Sequence, residues 1–435
     1  LSSSEFLRNS EKMPESDLAR PFQTLSPAEL AAELGHLPNF VFLDSASGEE
    51  GSGRGRSDRF SLLTACPRQI FTGNLFHEGD FARLTAHYRQ HQKPSPNALL
   101  PGSPGAGLYG WISYEGDFAF GEYDEVLVYD HQRKVWHEEG TLSSHRRKPE
   151  RPESARILAP FHDEMSERQY CDLVKKAQGH IAAGDIYQVN LSHRFSTPVP
   201  PSFSAYSLYE HLREKSPAPF GCFLRLGGRT AISSSPEQFL RISGRNIQTR
   251  PIKGTRPRFR DRARDEKSAD DLLHSPKEIA ELVMITDLER NDLGQICEFG
   301  TVIASELLQL ERYSQVFHLV STIEGVLRAE VGPLEAIRAC FPGGSITGAP
   351  KKRAREIIRQ LEPCPRGLYT GAIGCLGYNG ESRFNIAIRT LVEENGELHF
   401  HVGAGIVADS VPETEWEETL HKASGMLQAC EAYGA

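Results

Sequence analysis

Apolar positions along this chain fall mostly into short runs of strand length bounded by turn residues, with helical spacing in between. Strand-like runs stand at Phe40–Leu43, Tyr109–Tyr114 and Glu125–Tyr129. Tyr170, Leu173, Val174, Ala177 and Ile181 then recur at helical spacing, which predicts a helix over Ser166–Ala183 ended by Gly184. Strands are predicted next at Tyr187–Phe195, Gly221–Leu226, Thr230–Ser235 and Phe239–Ser243. A helix follows from Pro276 to about Glu289, with Ser275 as N-cap and proline at its first position. A strand at Val316–Val320 precedes helices near Val331–Ala339 and Pro350–Gln360. Strands at Leu368–Tyr378, Phe384–Val392 and Leu398–Val402 lead into a last helix from Pro412 to about Tyr433. Strand, turn and strand recur without strict β-α-β alternation. The order therefore predicts an α/β (α+β) fold with large, mostly antiparallel sheets and outer helices.

Turn-rich stretches at 45–58 and 93–107 read as loops, and the charged stretch 144–155 as a boundary. Residues 1–12, ahead of Met13, read as a vector-derived lead. That leaves 13–155 as an N-terminal region packing on a core and 156–435 as the catalytic domain. The net charge of −9 disfavours a nucleic-acid partner. The eight cysteines stand singly with no CxxC, which points to a reduced, cytoplasmic protein. No apolar run reaches the roughly 18–20 residues needed to span a bilayer.

Candidate chemistry is concentrated in the second half. Lys253 stands between Pro251-Ile252 and Gly254-Thr255, so its amine is borne on a shaped backbone, a candidate nucleophile. The segment 250–267 that follows is densely basic and reads as a solvated loop. Glu278 and Glu281 share one helix face, and Glu415 and Glu418 repeat the spacing on the last helix. Together they would make an oxygen-rich Mg²⁺ site, whereas alone each pair reads as first-turn acids, Glu278 completing a capping box with Ser275. The run from Phe341 to Lys351 is a glycine-rich loop suited to an anion. Gly403-Ala-Gly-Ile-Val-Ala408 matches GxGxxA, but Asp409, Ser410 and Pro412 interrupt the helix that a dinucleotide site requires. His318, in an apolar strand, reads as a half-buried residue or a general acid. Arg389, in a similar run, needs an anion, either substrate or a structural carboxylate.

Taken in order, Gly184-Asp-Ile-Tyr-Gln-Val-Asn-Leu-Ser192, Ser235-Pro-Glu-Gln238, Pro251-Ile-Lys-Gly-Thr255, Asp287-Leu-Glu-Arg-Asn-Asp292, His318-Leu-Val-Ser321, Pro342–Lys351, Ile388-Arg-Thr390 and Gly403-Ala-Gly405 resemble the chorismate-utilising enzymes. The resemblance is dense over roughly 160–432. Lys253 is the feature of the branch that forms aminodeoxychorismate, where the anthranilate branch normally carries alanine. Gln188 stands where isochorismate and salicylate synthases carry a water-activating lysine. The resemblance implies that Glu281 and Glu418 bind Mg²⁺ directly and that Glu278 and Glu415 act through water. It implies that Tyr369, Arg389, Gly403 and Gly405 hold substrate carboxylates and that Ser345 contacts substrate. Glu237 matches an active-site carboxylate and His318 the proposed acid of the anthranilate branch. A glutamine amidotransferase subunit is the implied partner. A tryptophan pocket is the remaining implication, at Ser45, Arg59, Phe60, Pro219, Phe220 and Gly221.

Overall fold

The computed structural model describes residues 20–45, 59–93, 100–149 and 158–434. The lead 1–12, nearly all of the loop 45–58, the middle of 93–107 and the end of 144–155 lie outside the described residues. Local signals account for most element ends. The third helix, Glu167–Ala182, begins with a reciprocal capping box between Ser166 and Gln169. It buries Tyr170, Leu173, Val174 and Ala177, as the spacing predicts, and Gly184 follows it at φ 79°. The nine helices described, α1 to α9, are Pro27–Leu34, Glu78–His91, Glu167–Ala182, Ala205–Lys215, Arg262–Leu273, Pro276–Gly294, Pro333–Cys340, Lys351–Leu361 and Pro412–Gly434.

Two large antiparallel sheets hold the chain. One has 11 strands and one has 10 among the described residues. The first centres on Gln188–Pro198, Glu397–Ile406, Thr390–Glu394, Arg229–Ser235 and Phe220–Leu226. Strands of the N-terminal region extend it, because Val41–Asp44 pairs with Phe220–Leu226. The second runs from Ile252–Pro257 and Val316–Val326 through Gln238–Ser243, Glu381–Ile386 and Ala372–Gly377. Gly107–Ile112 continues it by pairing with Ala372–Gly377. The sheets pack face to face. Val41, Leu62, Cys222 and Leu224 of the first meet Tyr109, Trp111, Ile373 and Cys375 of the second in one buried cluster. The Trp111 indole donates to the Leu226 carbonyl across that interface at 3.1 Å. Helices α4 and α9 cover the outer face of the first sheet through Leu208, Leu212, Ala423 and Met426. The mixed architecture of antiparallel sheets with outer helices is as the sequence predicts. Among the described residues no helix is long and apolar enough to cross a membrane.

Three expectations need correction. Phe384–Val392 is two strands, Glu381–Ile386 in the second sheet and Thr390–Glu394 in the first. The chain changes sheets over 387–389, where Arg389 takes φ 49°. The predicted strand at Leu368 begins only at Ala372, because Thr370 takes φ 60° in a turn. The basic segment is no open loop. It forms the strand Ile252–Pro257 and the helix α5, and four of its six arginines are paired: Arg250 with Glu311, Arg256 with Glu278, Arg258 with Asp265 and Arg262 with Glu266.

Candidate active site

Gln188–Pro198 pairs with Glu397–Ile406 so that Asn190 faces Gly405 and Ser192 faces Gly403. The two glycines point to one face of the sheet, as do Gln188 and Asn190. A Cβ at either glycine would crowd the groups around it. A Cβ on Gly405 would lie 2.7 Å from Gln188 Nε2 and 3.6 Å from Lys253 Nζ. A Cβ on Gly403 would lie 2.9 Å from both Asn190 Oδ1 and the Tyr369 hydroxyl. The result is a floor ringed by Gln188, Asn190, Tyr369 and Lys253. Both amide atoms of Gln188 and Oδ1 of Asn190 are buried without a hydrogen-bond partner. Each such group costs about 1–3 kcal/mol. Several at one place mark a surface completed by a polar ligand.

A bulge delivers Lys253. Pairing of Ile252–Pro257 with Val316–Val326 slips between Lys253 and Thr255, and Gly254 takes φ 74° there. The slip turns the amine toward the floor, 3.6 Å from Glu281 Oε2. Its electrical setting differs from the basic one that the sequence suggests. The carboxylates of Glu281, Glu237 and Glu418 act with Lys253, and Arg256 two positions beyond Gly254 is turned to Glu278.

Glu237 is buried between the sheets' working ends. Its Oε1 accepts from Ser345 Oγ at 2.6 Å and from the Ile252 amide at 3.4 Å. Burial pushes its carboxyl up to about 7, against the opposing pull of Ser345, Lys253, Ile252 and Arg389. Ser345 thereby ties the glycine-rich loop to the acid. Arg389 sits on its strained turn with its basicity lowered by burial, and its guanidinium makes no ion pair among the described residues. Thr370 and Arg389 are strained at facing points, since the Thr370 amide donates to the Ala387 carbonyl at 2.8 Å. The two turns bring Tyr369 and Arg389 to the same end of the site. His318 is fully enclosed, and its Nδ1 lies 3.0 Å from Thr255 Oγ1. Burial and the Arg389 charge push it down to about 3. It is therefore a neutral imidazole at neutral pH that fixes the strand carrying Lys253.

The four glutamates converge from α6 and α9. Glu278, Glu281, Glu415 and Glu418 all act on Lys277, whose charge they hold in place against burial. Ser275 caps α6 by accepting from the Glu278 amide at 3.5 Å, but the reciprocal half of the predicted capping box is missing. The Glu278 carboxylate instead faces Arg256 at 3.5 Å. Burial raises Glu278 and Glu415, the former with help from Glu281. Burial also presses Glu418 upward, yet Lys422, Lys277 and Lys253 together hold it below the usual range. Lys277 lies 3.6 Å from Glu415 Oε1, and Lys422 lies 2.7 Å from Glu418 Oε1. Glu415 Oε2 is buried and unpartnered. Four carboxylates, one with an orphaned oxygen, have the donor chemistry of a site for a hard divalent cation such as Mg²⁺, although with lysines among them no three of their oxygens lie within 4.8 Å of one another.

The residues suggested for a tryptophan pocket also gather at one place. Gly221 pairs with Asp44, beside Ser45 and following Pro219-Phe220. Ser45 Oγ donates to the Phe60 carbonyl at 3.1 Å, and the Arg59 guanidinium lies over the Phe60 ring while pairing with Asp130 at 2.7 Å. The acid at their centre, Asp44, is already engaged by Arg213 at 2.5 Å and by the Tyr209 hydroxyl at 2.9 Å.

Sequence reasoning missed Asn190, Lys277, Lys422 and Glu289. Asn190 follows Gln188 at the strand period, and Lys422 follows Glu418 at the helical period, so both signals were available. Glu289 lies behind Gly344, is raised to about 8 by burial, and accepts from Thr249 Oγ1 at 2.8 Å.

Comparison with known proteins agrees with this geometry. The family model for chorismate binding enzymes matches residues 45–428. Anthranilate synthase component 1 of Thermus thermophilus is 38% identical over 425 residues, covering 87% of this chain and 90% of that protein. Aminodeoxychorismate synthase component 1 of Bacillus subtilis is also 38% identical, over 401 residues, covering 82% of this chain and 83% of that protein. The crystal structure of anthranilate synthase component I from Streptococcus pneumoniae superposes with TM-score 0.73 at 30% identity, covering 87% of this chain and 94% of that one. The menaquinone-specific isochorismate synthase of Escherichia coli shares the fold, with TM-score 0.75 at 18% identity over 99% of both chains. A polar floor cleared by paired glycines, a bulge-borne lysine and two facing glutamate pairs thus lie within the matched span, and the chain belongs to the chorismate-binding enzyme family.

Proposed function

We propose that this enzyme converts chorismate and ammonia to 4-amino-4-deoxychorismate through a covalent lysine intermediate, as component 1 of a two-component aminodeoxychorismate synthase. Relatives of both branches are equally similar in sequence, so the reading rests on one observation. The Lys253 amine reaches the Gly405 corner of the floor, beside the amide of Gln188.

Chorismate is a dianion whose C4 hydroxyl is a poor leaving group. The Arg389 guanidinium, the Tyr369 hydroxyl and the backbone beside Gly405 suit one carboxylate. Glu278, Glu281, Glu415 and Glu418 would hold Mg²⁺, which when bound supplies charge neutralisation for the other. The Lys253 amine bonds to ring C2, the ring double bonds shift, and the C4–O bond breaks. The hydroxyl leaves as water with a proton for which Glu237, poised near 7, is the donor. Ammonia then bonds to C4 as the C2–N bond to Lys253 breaks and the diene is restored. The net change is chorismate plus ammonia to aminodeoxychorismate plus water. One difficult substitution is replaced by two easier ones. His318, neutral, acts by fixing the Lys253 strand rather than by giving a proton. Relatives named component 1 support a separate glutamine amidotransferase as the ammonia source, and the product suits 4-aminobenzoate and folate synthesis.

The test is a product assay with chorismate, Mg²⁺ and ammonium. Aminodeoxychorismate without pyruvate is the expected result. Anthranilate with an equivalent of pyruvate would overturn the assignment in favour of the sister branch.

A further inference from the structure

Helix α2 lies against the strand Gln69–Asn74 at the edge of the second sheet, well apart in the chain from every residue of the site above. His87 and His91 stand one turn apart on the same helix face, with ring centroids 4.2 Å apart. Facing them is Glu122 on the strand Asp117–Tyr123, a buried carboxylate. His87 Nε2 lies 3.0 Å from Glu122 Oε1. One ligand atom from each of His87, His91 and Glu122 lies within 4.8 Å of the other two. Bonds of about 2.0–2.2 Å in a tetrahedral zinc site put ligand atoms roughly 3.3 Å apart, so the set needs little closing.

Outer hydrogen bonds already orient two of the three groups, His91 and Glu122. His91 Nδ1 lies 2.9 Å from the His87 carbonyl, which can only accept. The proton is therefore on Nδ1, and Nε2 keeps its lone pair. A ligating histidine held from its other nitrogen by a carbonyl is the usual second-shell arrangement. Gln69 Nε2 donates to Glu122 Oε2 at 2.8 Å, and the Tyr378 hydroxyl donates to Oε1 at 2.8 Å. The His87 side chain remains 15% exposed, which leaves a way in for an ion.

We propose that His87, His91 and Glu122 form a second metal site, for a transition-metal dication of the Zn²⁺ class, that pins α2 to the second sheet. Water or the Tyr378 hydroxyl completes the fourth position. Binding moves the His87 proton to Nδ1, and the metal replaces the direct contact between Nε2 and Glu122. Two imidazoles with one carboxylate favour Zn²⁺, whereas four carboxylates favour Mg²⁺, so the two sites select different ions.

The test uses the full chain, stripped with EDTA and then saturated with Mg²⁺ to occupy oxygen-only sites. Co²⁺ is titrated while visible d–d absorption is read, and Zn²⁺ affinity is measured by competition with a chromophoric chelator. One equivalent of Co²⁺ should give the intense band of a four-coordinate site, bleached by one equivalent of Zn²⁺. His91→Gln should lose the band and weaken Zn²⁺ binding by more than the roughly 10–100-fold that loss of an outer hydrogen bond costs. Gln69→Leu should weaken it by about that 10–100-fold. Zn²⁺ should raise Tm in the wild type and leave His91→Gln unmoved. No band in the wild type, or a band that survives in His91→Gln, overturns the proposal. Should His91→Gln fail to fold, Gln69→Leu decides, and unchanged affinity there overturns it equally.

Discussion

Replacing Glu237 by glutamine should slow the enzyme and stabilise the fold at once. The folded carboxyl holds its proton up to about 7, against an ordinary value of 4.5. The folded state therefore binds that proton more tightly than the unfolded state does. Wild-type stability falls as pH rises from about 4.5 through 7, and the loss is complete above 7. At 1.36 kcal/mol per pH unit, that loss is about 3 kcal/mol. Glutamine keeps the carbonyl that accepts from Ser345 and the Ile252 amide and never ionises, so Glu237→Gln should recover up to about 3 kcal/mol at pH 8.5 and nothing at pH 4. Urea unfolding at the two pH values measures this. Turnover should move the other way, falling about 10²–10⁴-fold with loss of the acid, and the limb near pH 7 should vanish from the kcat/KM profile. Wild-type turnover in the variant, or no gain in stability at pH 8.5, would refute the reasoning.

The other predictions concern the floor and its cation. Lys253→Ala should lower kcat by on the order of a thousandfold or more, and substrate-quenched wild type should carry a mass adduct at Lys253 that the variant lacks. Gly405→Ala should fold normally, because its Cβ meets chiefly the flexible end of Gln188 at 2.7 Å. Its kcat/KM should nonetheless fall about a hundredfold, since the methyl group wedges between Gln188 and the attacking amine. EDTA should abolish turnover and Mg²⁺ restore it, with Glu281→Gln raising the Mg²⁺ concentration needed for half-maximal rate by tenfold or more.

Where local rules decide, the sequence was legible. The cap at Ser275 sets one helix start and Gly184 marks one helix end, both as the local residues indicate. The turn at 387–389 was hidden, because Ile386-Ala387-Ile388 is an unbroken apolar run and the left-handed residue is an arginine. The basic segment misled for a different reason. Two of its arginines, Arg250 and Arg256, are met by acids distant in sequence, Glu311 and Glu278, so composition alone suggested a solvated loop. The setting of Lys253 was likewise non-local: Glu281 approaches from a helix and Glu237 from another strand. The glutamate pairs could be seen, but not the lysines threaded among them.

The joining of early and late strands governs how this protein is made. Val41–Asp44 can pair early with Phe60–Thr64, and Gly107–Ile112 with Asp117–Tyr123, but their second neighbours, Phe220–Leu226 and Ala372–Gly377, leave the ribosome much later. Until then each early ribbon keeps one open, apolar edge, a template for clumping with other nascent chains. Assembly is thus delayed almost to the end of synthesis, and yield in a cell should depend on chaperone supply more than on the stability of the finished molecule.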